Sequence, residues 1–266
     1  MKKIFAAGWT MLALLFIYLP IMLLAVYSFT TSPQIGTIRE FSLKNYVTLF
    51  TTPDLRNMII GTFTLAVGSA IIATILGASG AIGTFYSGKL AKTAVHGMNH
   101  IPVVNADVVT GFSICIFLIV VLHMNKESYI PLVIGHVVLS APFVYLSVVP
   151  KLKQMDDSIY EAALDMGATP AKAIVKVILP QVFPGIISGF MIAVTLSLDD
   201  YFVATYTKPA TFDTISTYVV NATKGAQTNI KTALWALSTV IFAVVVLAVL
   251  VMNFMGGKEK DRYEEV

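Results

Sequence analysis

Charge is scarce in this chain. Of its 266 residues only 12% are Asp, Glu, Lys or Arg, while 56% are hydrophobic and the mean hydropathy is +0.79. An ordinary soluble domain is about a quarter charged, so this composition excludes one and indicates an integral membrane protein. Cysteine is nearly missing too: Cys115 stands alone in an apolar stretch, which excludes an intrachain disulfide and reads as a packed, inert thiol. No polybasic run accompanies the net charge of +3, so there is no electrostatic footprint for nucleic acid. Neither G-x-S-x-G nor H-E-x-x-H occurs, which leaves hydrolysis within a membrane without visible chemistry. His96 and His100 have the spacing of a metal pair on a helix but no third ligand nearby in sequence, so they read as interface anchors, and no metal or cofactor is expected.

What the chain does have is long apolar runs, each near the roughly 20 residues needed to cross a hydrocarbon core. Six are expected, at about residues 8–29, 59–86, 100–123, 129–150, 184–206 and 232–255, within a single transmembrane domain over 1–266. Six spans put both termini on one side. That side holds Lys2, Lys3, Lys89, Lys92, Lys151, Lys153, Lys172, Lys176, Lys258, Lys260 and Arg262, the larger share of the 18 basic residues, and the positive-inside rule makes it cytoplasmic. The apolar run after Lys2 and Lys3 is too long for a secretory h-region and lacks an A-x-A-like exit, so it is expected to remain as the first span.

Residues 151–183, between spans four and five, form the longest cytoplasmic segment, including "DDSIYEAALDMGATPAKAIVKVILPQVFPG". Ser158 and Glu161 have the spacing of a capping box at a helix start, and Gly167 is placed to close that helix. Thr169 and Pro170 restart a helix as N-cap and first helical residue, and Pro180 and Pro184 are expected to end it before span five. Two short helices joined at Gly167 would make a knob suited to a groove on another protein. On span two, Ser69, Ala73, Gly77 and Ala81 recur every four residues, a stripe of small side chains along which another helix is expected to pack. "GTFYSGK", residues 83–89, matches part of a phosphate-binding loop. The following Leu90 lacks the required hydroxyl and the stretch follows a helix rather than a strand, so no ATP binding is expected.

"EAALDMGATPAKAIVKVILP", residues 161–180, resembles the EAA signature of ABC importer permease subunits: E-A-A, three residues, G, nine residues, an aliphatic, one residue and L-P, with Val177 at the usual isoleucine. The resemblance extends over roughly residues 10–255, through "FSLKNYVTLF" and "GTFTLAVGSA", to the type I, MetI-like importer fold. It implies an all-α, six-span permease. Glu161, Ala162, Ala163, Gly167, Leu179 and Pro180 would couple to a separate ATPase dimer, which alone hydrolyses ATP. Within the family, "SLDD" in span five and Asp107 in span three resemble the PotC-like subunits of spermidine/putrescine importers. That implies a bacterial cytoplasmic-membrane location, a second homologous permease and an extracytoplasmic polyamine-binding protein. A capping role alone would explain Ser158 and Gly167 but not the alanines or Leu179–Pro180.

Asp107, Asp199 and Asp200 are the acidic residues placed within spans, each costing about 2.5–3.5 kcal/mol at a helix centre, so a wet or paired site is expected. Read as one continuous helix, Ser197 and Asp200 share one face and Thr195 and Asp199 another, with Asp107 at a level nearer the inner side. An acidic cluster in a low-dielectric cavity attracts amines and opposes anions. Asp107, Ser197, Asp199, Asp200 and Tyr201 are therefore the candidate substrate path. Which of the adjacent aspartates faces the path, and which holds the helix, stays open at this level. So do an importer for iron or an anion, a self-sufficient secondary transporter, and a purely structural role for the acids.

Overall fold

The computed structural model describes residues 2–30, 40–156, 158–224, 233–243 and 246. Among them every regular element is a helix, and extended backbone pairs only in a single bridge between Thr30 and Phe41. The chain divides into two compact units, 1–57 with 219–266, and 58–218.

The first unit contains α1 (Lys2–Ser28) and α2 (Lys44–Thr51), and the chain returns to it with the apolar helix Ala233–Ala243. Large apolar side chains such as Phe5, Trp9 and Phe16 stand exposed on α1, as a helix that is hydrophobic all round requires of its surroundings. Asn45 at the start of α2 is buried and donates to the carbonyls of Ser28 and Thr30, at 2.9 and 2.8 Å, which satisfies backbone acceptors that the end of α1 leaves free. Tyr27 and Trp235 meet edge to face at 5.6 Å. The short helix expected before span two is present as α2. Of the expected sixth span, 233–243 is helical, and most of the remainder lies outside the described residues.

The second unit is built mainly from α3 (Pro53–Phe85), α4 (Lys89–Val104), α5 (Asp107–Cys115, continued by a π-helical turn Ile116–Val121), α6 (Ile130–Gln154), α7 (Ser158–Asp165), α8 (Pro170–Ala173), α9 (Leu179–Asp199), α10 (Phe202–Thr207) and α11 (Ile215–Lys224). Among the described residues four continuous helical stretches, Gly8–Ser28, Pro53–Phe85, Ile130–Gln154 and Pro170–Asp199, are long and apolar enough to cross a membrane. The expected span 100–123 is not one straight helix. It takes in the end of α4 and the whole of α5, a bent pair that meets at 108°. Asn105 and Ala106 take extended backbone there, and Asp107 then opens α5, where the helix dipole favours a negative charge.

Two expected helix ends also differ. Pro180 and Pro184 do not separate the EAA segment from span five; Pro170–Asp199 runs on through both. A π-helical turn over Ile174–Ile178 precedes Pro180, and the Leu179 N–H reaches the Ile174 carbonyl, five residues back. That turn shifts the hydrogen-bond register where a proline would otherwise break it. Span five in turn stops at Asp199 rather than continuing to 206.

Val144 of α6 lies at the centre of the packing. A Cβ on Gly77 of α3 would lie 2.7 Å from Val144 Cβ and from the Ala141 carbonyl, and one on Gly189 of α9 would lie 3.0 Å from Val144 Cα. Both glycines are thus contact points where helices approach backbone to backbone, which is how spans associate when lipid offers no hydrophobic driving force. Ala73 and Ala81 are fully buried and Ser69 almost so, so the small-residue stripe does face inward as expected. Around it Ala70, Ile82, Tyr145, Val148, Leu152, Ile178, Val182 and Ala193 form the core.

Gly77→Ala is expected to destabilise the chain by about 1–3 kcal/mol, the usual cost of overpacking. Gly68→Ala, whose new methyl meets nothing within 4 Å, should leave stability unchanged or slightly raised. Thermal unfolding of the purified chain in detergent separates the two, and equal melting temperatures would contradict the contact.

Candidate functional site

At the end of α9 the backbone of Asp200 turns extended (φ −66°, ψ 124°) and helical hydrogen bonding stops. In a hydrocarbon surround the first amides of the next helix need acceptors from the protein itself. The Asp200 carboxylate supplies them, accepting from the Val203 N–H at 3.2 Å and the Ala204 N–H at 2.7 Å. The second aspartate of "SLDD" is therefore the cap of α10. Its side chain is almost wholly buried.

The same carboxylate faces α6. Asp200 Oδ2 lies 3.7 Å from His136 Nε2, within ion-pair range but beyond a hydrogen bond. The other ring nitrogen, Nδ1, is 2.8 Å from Ser197 Oγ, which in turn is 3.3 Å from Ser69 Oγ. Ser69, His136, Ser197 and Asp200 thus form a buried polar node that ties α3, α6, α9 and the start of α10 together. His136 Nε2 and Ser140 Oγ, one turn apart on α6, are buried without a hydrogen-bond partner. The expectation that Ser197 and Asp200 share a face holds, because one imidazole lies against both. Both lie on a packed side of the chain, Ser197 being 1% exposed.

Asp199 differs from its neighbour in being exposed, and so does Asp107 in the first turn of α5. A Cβ on Gly111, one turn along α5, would lie 3.0 Å from the Val203 amide nitrogen, which fixes how closely α5 and α10 pack. That contact brings Asp107 near enough for it and Asp199 to act on Asp200 electrostatically. Asp107 thus stands at the start of α5, the helix that packs on α10. Tyr201 is half-buried in the break itself, its ring 5.2 Å from that of Phe202.

His136 is the residue that sequence reasoning missed. The signal was present: a lone ionisable side chain in the apolar run "PLVIGHVVLSAPF" is expensive and calls for a named partner. Weighing only the acids among span residues passed over it. Cys115 packs as expected, its Sγ 3.3 Å from the Tyr206 carbonyl.

At the opposite end of α9, Asp156 rather than Ser158 caps α7. Its Oδ1 accepts from the Ser158 N–H at 2.9 Å and the Ser158 hydroxyl at 2.8 Å, and these donors hold the Asp156 carboxyl below the usual range. Ser158 is the first helical residue and a donor to Asp156, so it does not act as the N-cap expected of it. Gly167 closes α7 with φ +87°, its N–H on Leu164 O and the next N–H on Ala163 O, a glycine-closed helix end. Thr169 caps α8 as expected. Glu161, Ala162 and Gly167 are exposed and Ala163 is buried, so the signature divides into a presented face and a packed one. Leu179 is half-buried and Pro180 exposed along the helix that follows.

A helical bundle of spans with an exposed two-helix element on one side and a polar helix break within it defines a membrane transport subunit. The chain belongs to the family described as binding-protein-dependent transport system inner membrane component, whose profile matches residues 101–257. It is 28% identical over 263 residues to the putrescine transport system permease protein PotI of Escherichia coli (strain K12), covering 96% of this chain and 92% of that one. To the spermidine/putrescine transport system permease protein PotC of Haemophilus influenzae it is 29% identical over 238 residues, covering 89% and 91%. A chain of a bacterial ABC transporter involved in import of the acidic polysaccharide alginate shares the fold, with a TM-score of 0.74 at 20% identity over 96% of both chains. A second structure of an alginate ABC transporter, in complex with its alginate-bound periplasmic protein, gives a TM-score of 0.66 at 19% identity, covering 93% and 94%.

Asp200→Ala removes both cap acceptors and is expected to cost about 1–2 kcal/mol of stability. Asp199→Ala removes none of the cap and should be close to neutral. Melting curves of the two variants check the assignment, which fails if Asp199→Ala is the more damaging.

Proposed function

We propose that this chain is a permease subunit of an ATP-driven importer for polyamines such as spermidine or putrescine. The observation that carries this reading is the division of labour at the break. Asp200 is taken up by α10 and His136, while Asp199 and Asp107 remain exposed beside it. Two exposed carboxylates near a third give a local field that favours ammonium groups and opposes anions. Spaced carboxylates suit a linear molecule with spaced ammonium groups, and Tyr201 at the break adds an aromatic face within reach of a cation. The relatives named for putrescine and spermidine transport support the same substrate class.

In this reading the subunit carries out no bond chemistry. An extracytoplasmic binding protein delivers the polyamine, a second homologous permease completes the pathway, and a separate ATPase dimer on the cytoplasmic side drives alternating access. Both termini lie on that cytoplasmic side, as the basic residues favour. The face of α7 that presents Glu161 and Ala162, together with the Gly167 turn, docks on the ATPase. Leu179 and Pro180 carry the movement into α9.

Uptake by the reconstituted complex across putrescine, spermidine and inorganic anions tests the proposal, and uptake of anions but not amines would refute it. Asp107→Asn and Asp199→Asn are each expected to weaken polyamine uptake about tenfold, the effect of losing one charge contact of about 1.4 kcal/mol, with expression unchanged. Unaltered uptake in both variants and in their combination would remove them from the path. Glu161→Ala should lower substrate-stimulated ATP hydrolysis, and so should Gly167→Pro, because proline cannot adopt φ +87°. Normal coupling in both variants would mean that α7 is not the docking element.

A further inference from the structure

Two adjoining cavities open where α3 ends, α4 begins and α6 leaves its span. The first, of about 330 Å³, is walled by Ala81, Phe85, Tyr145 and Val149, mostly apolar side chains at the last turns of spans. The second, of about 590 Å³, is lined by Tyr86, Tyr160, Glu161 and Leu164. Phe85, Lys92 and Lys153 line both, so the two lysines stand at the boundary between an apolar chamber and a polar one. Lys92 Nζ rides 4.6 Å over the Phe85 ring. Among the described residues no carboxylate comes within ion-pair distance of either lysine.

From this gradation we infer that the paired cavities hold an anionic phospholipid of the leaflet on the α7 side, its phosphate between Lys92 and Lys153 and an acyl chain against Ala81, Phe85 and Val149. A free phosphate would use the lysines and leave the apolar chamber without purpose; a neutral lipid would use the chamber and leave the lysines unpaired. Basic pockets between spans near a membrane surface hold anionic head groups on these grounds. Among the described residues lining the polar chamber, Glu161 is the one acidic side chain, against two cations. The site also touches the two-helix element, since Tyr86 at the end of α3 and Tyr160 of α7 pack ring to ring at 4.6 Å. Head-group charge is therefore read next to Glu161, and lipid composition becomes an input to α7.

The test reads lipid binding rather than transport, so its outcome is independent of the polyamine proposal. The full chain, with whatever subunits co-purify, is placed in nanodiscs of phosphatidylcholine with or without phosphatidylglycerol, released into detergent and weighed intact by native mass spectrometry. Wild type is expected to retain phosphatidylglycerol in preference to phosphatidylcholine. The Lys92→Gln/Lys153→Gln double variant should bind it roughly thirtyfold more weakly, while Lys92→Arg/Lys153→Arg retains it. Equal retention of the two lipids by wild type overturns the proposal without recourse to any variant, and so does undiminished retention by a folded Gln double variant. Glycerol phosphate added to the lipid-free protein distinguishes the sources: binding as tight as that of the lipid would make this a soluble-phosphate site and refute the lipid assignment.

Discussion

The carboxylate of Asp200 accepting two amide hydrogens is the contact on which the middle of this protein depends. A polypeptide in hydrocarbon has no water to satisfy a broken helix, so a chain that interrupts a span must bring its own acceptor. Here the acceptor is a carboxylate, and a buried polar group needs further company. His136 stands against it from α6, Ser197 holds the other side of the imidazole, and Ser69 continues the network to α3. One unsatisfied pair of N–H groups thus accounts for polar side chains on three different helices. It also accounts for their sites on the buried faces.

Close helix packing follows from the same requirement. Contacts as short as those within the node need helices that approach without bulky side chains between them. Gly77, Gly189 and the small residues along α3 give the approach around Val144, and Gly111 gives it between α5 and α10. With α10 held against α5, Asp107 joins the neighbourhood of the break despite lying some ninety positions earlier in the chain.

Much of this was legible in the sequence, because membrane spans and glycine-closed helices are local patterns. The apolar runs, the four-residue stripe from Ser69 to Ala81, the positive φ at Gly167 and the Thr169 cap depend on nothing distant. Less legible were decisions between equally good local options. Asp156 and Ser158 are both competent caps, and where the chain leaves α6 favours the first. Pro180 and Pro184 are helix breakers in isolation, yet a π-helical turn upstream absorbs the change of register. The breaks at Asn105–Ala106 and Asp200 lie inside windows whose average hydropathy is still that of a span, so composition passes over them. His136 becomes meaningful only when the fold places Asp200 opposite it.

The π-helical turn at Ile174–Ile178 has a mechanical side as well. Because it keeps α8 and α9 in one piece, Pro170–Asp199 is a single rod of 30 residues, about 45 Å long at 1.5 Å per residue. Its one end lies against the Gly167 turn and its other end is the helix break. A rod of that length tilted about its middle by 5° moves each end by on the order of 2 Å, in opposite directions, enough to break hydrogen bonds made at 2.7 to 3.2 Å. The two prolines that looked like a joint lie instead within one continuous helix.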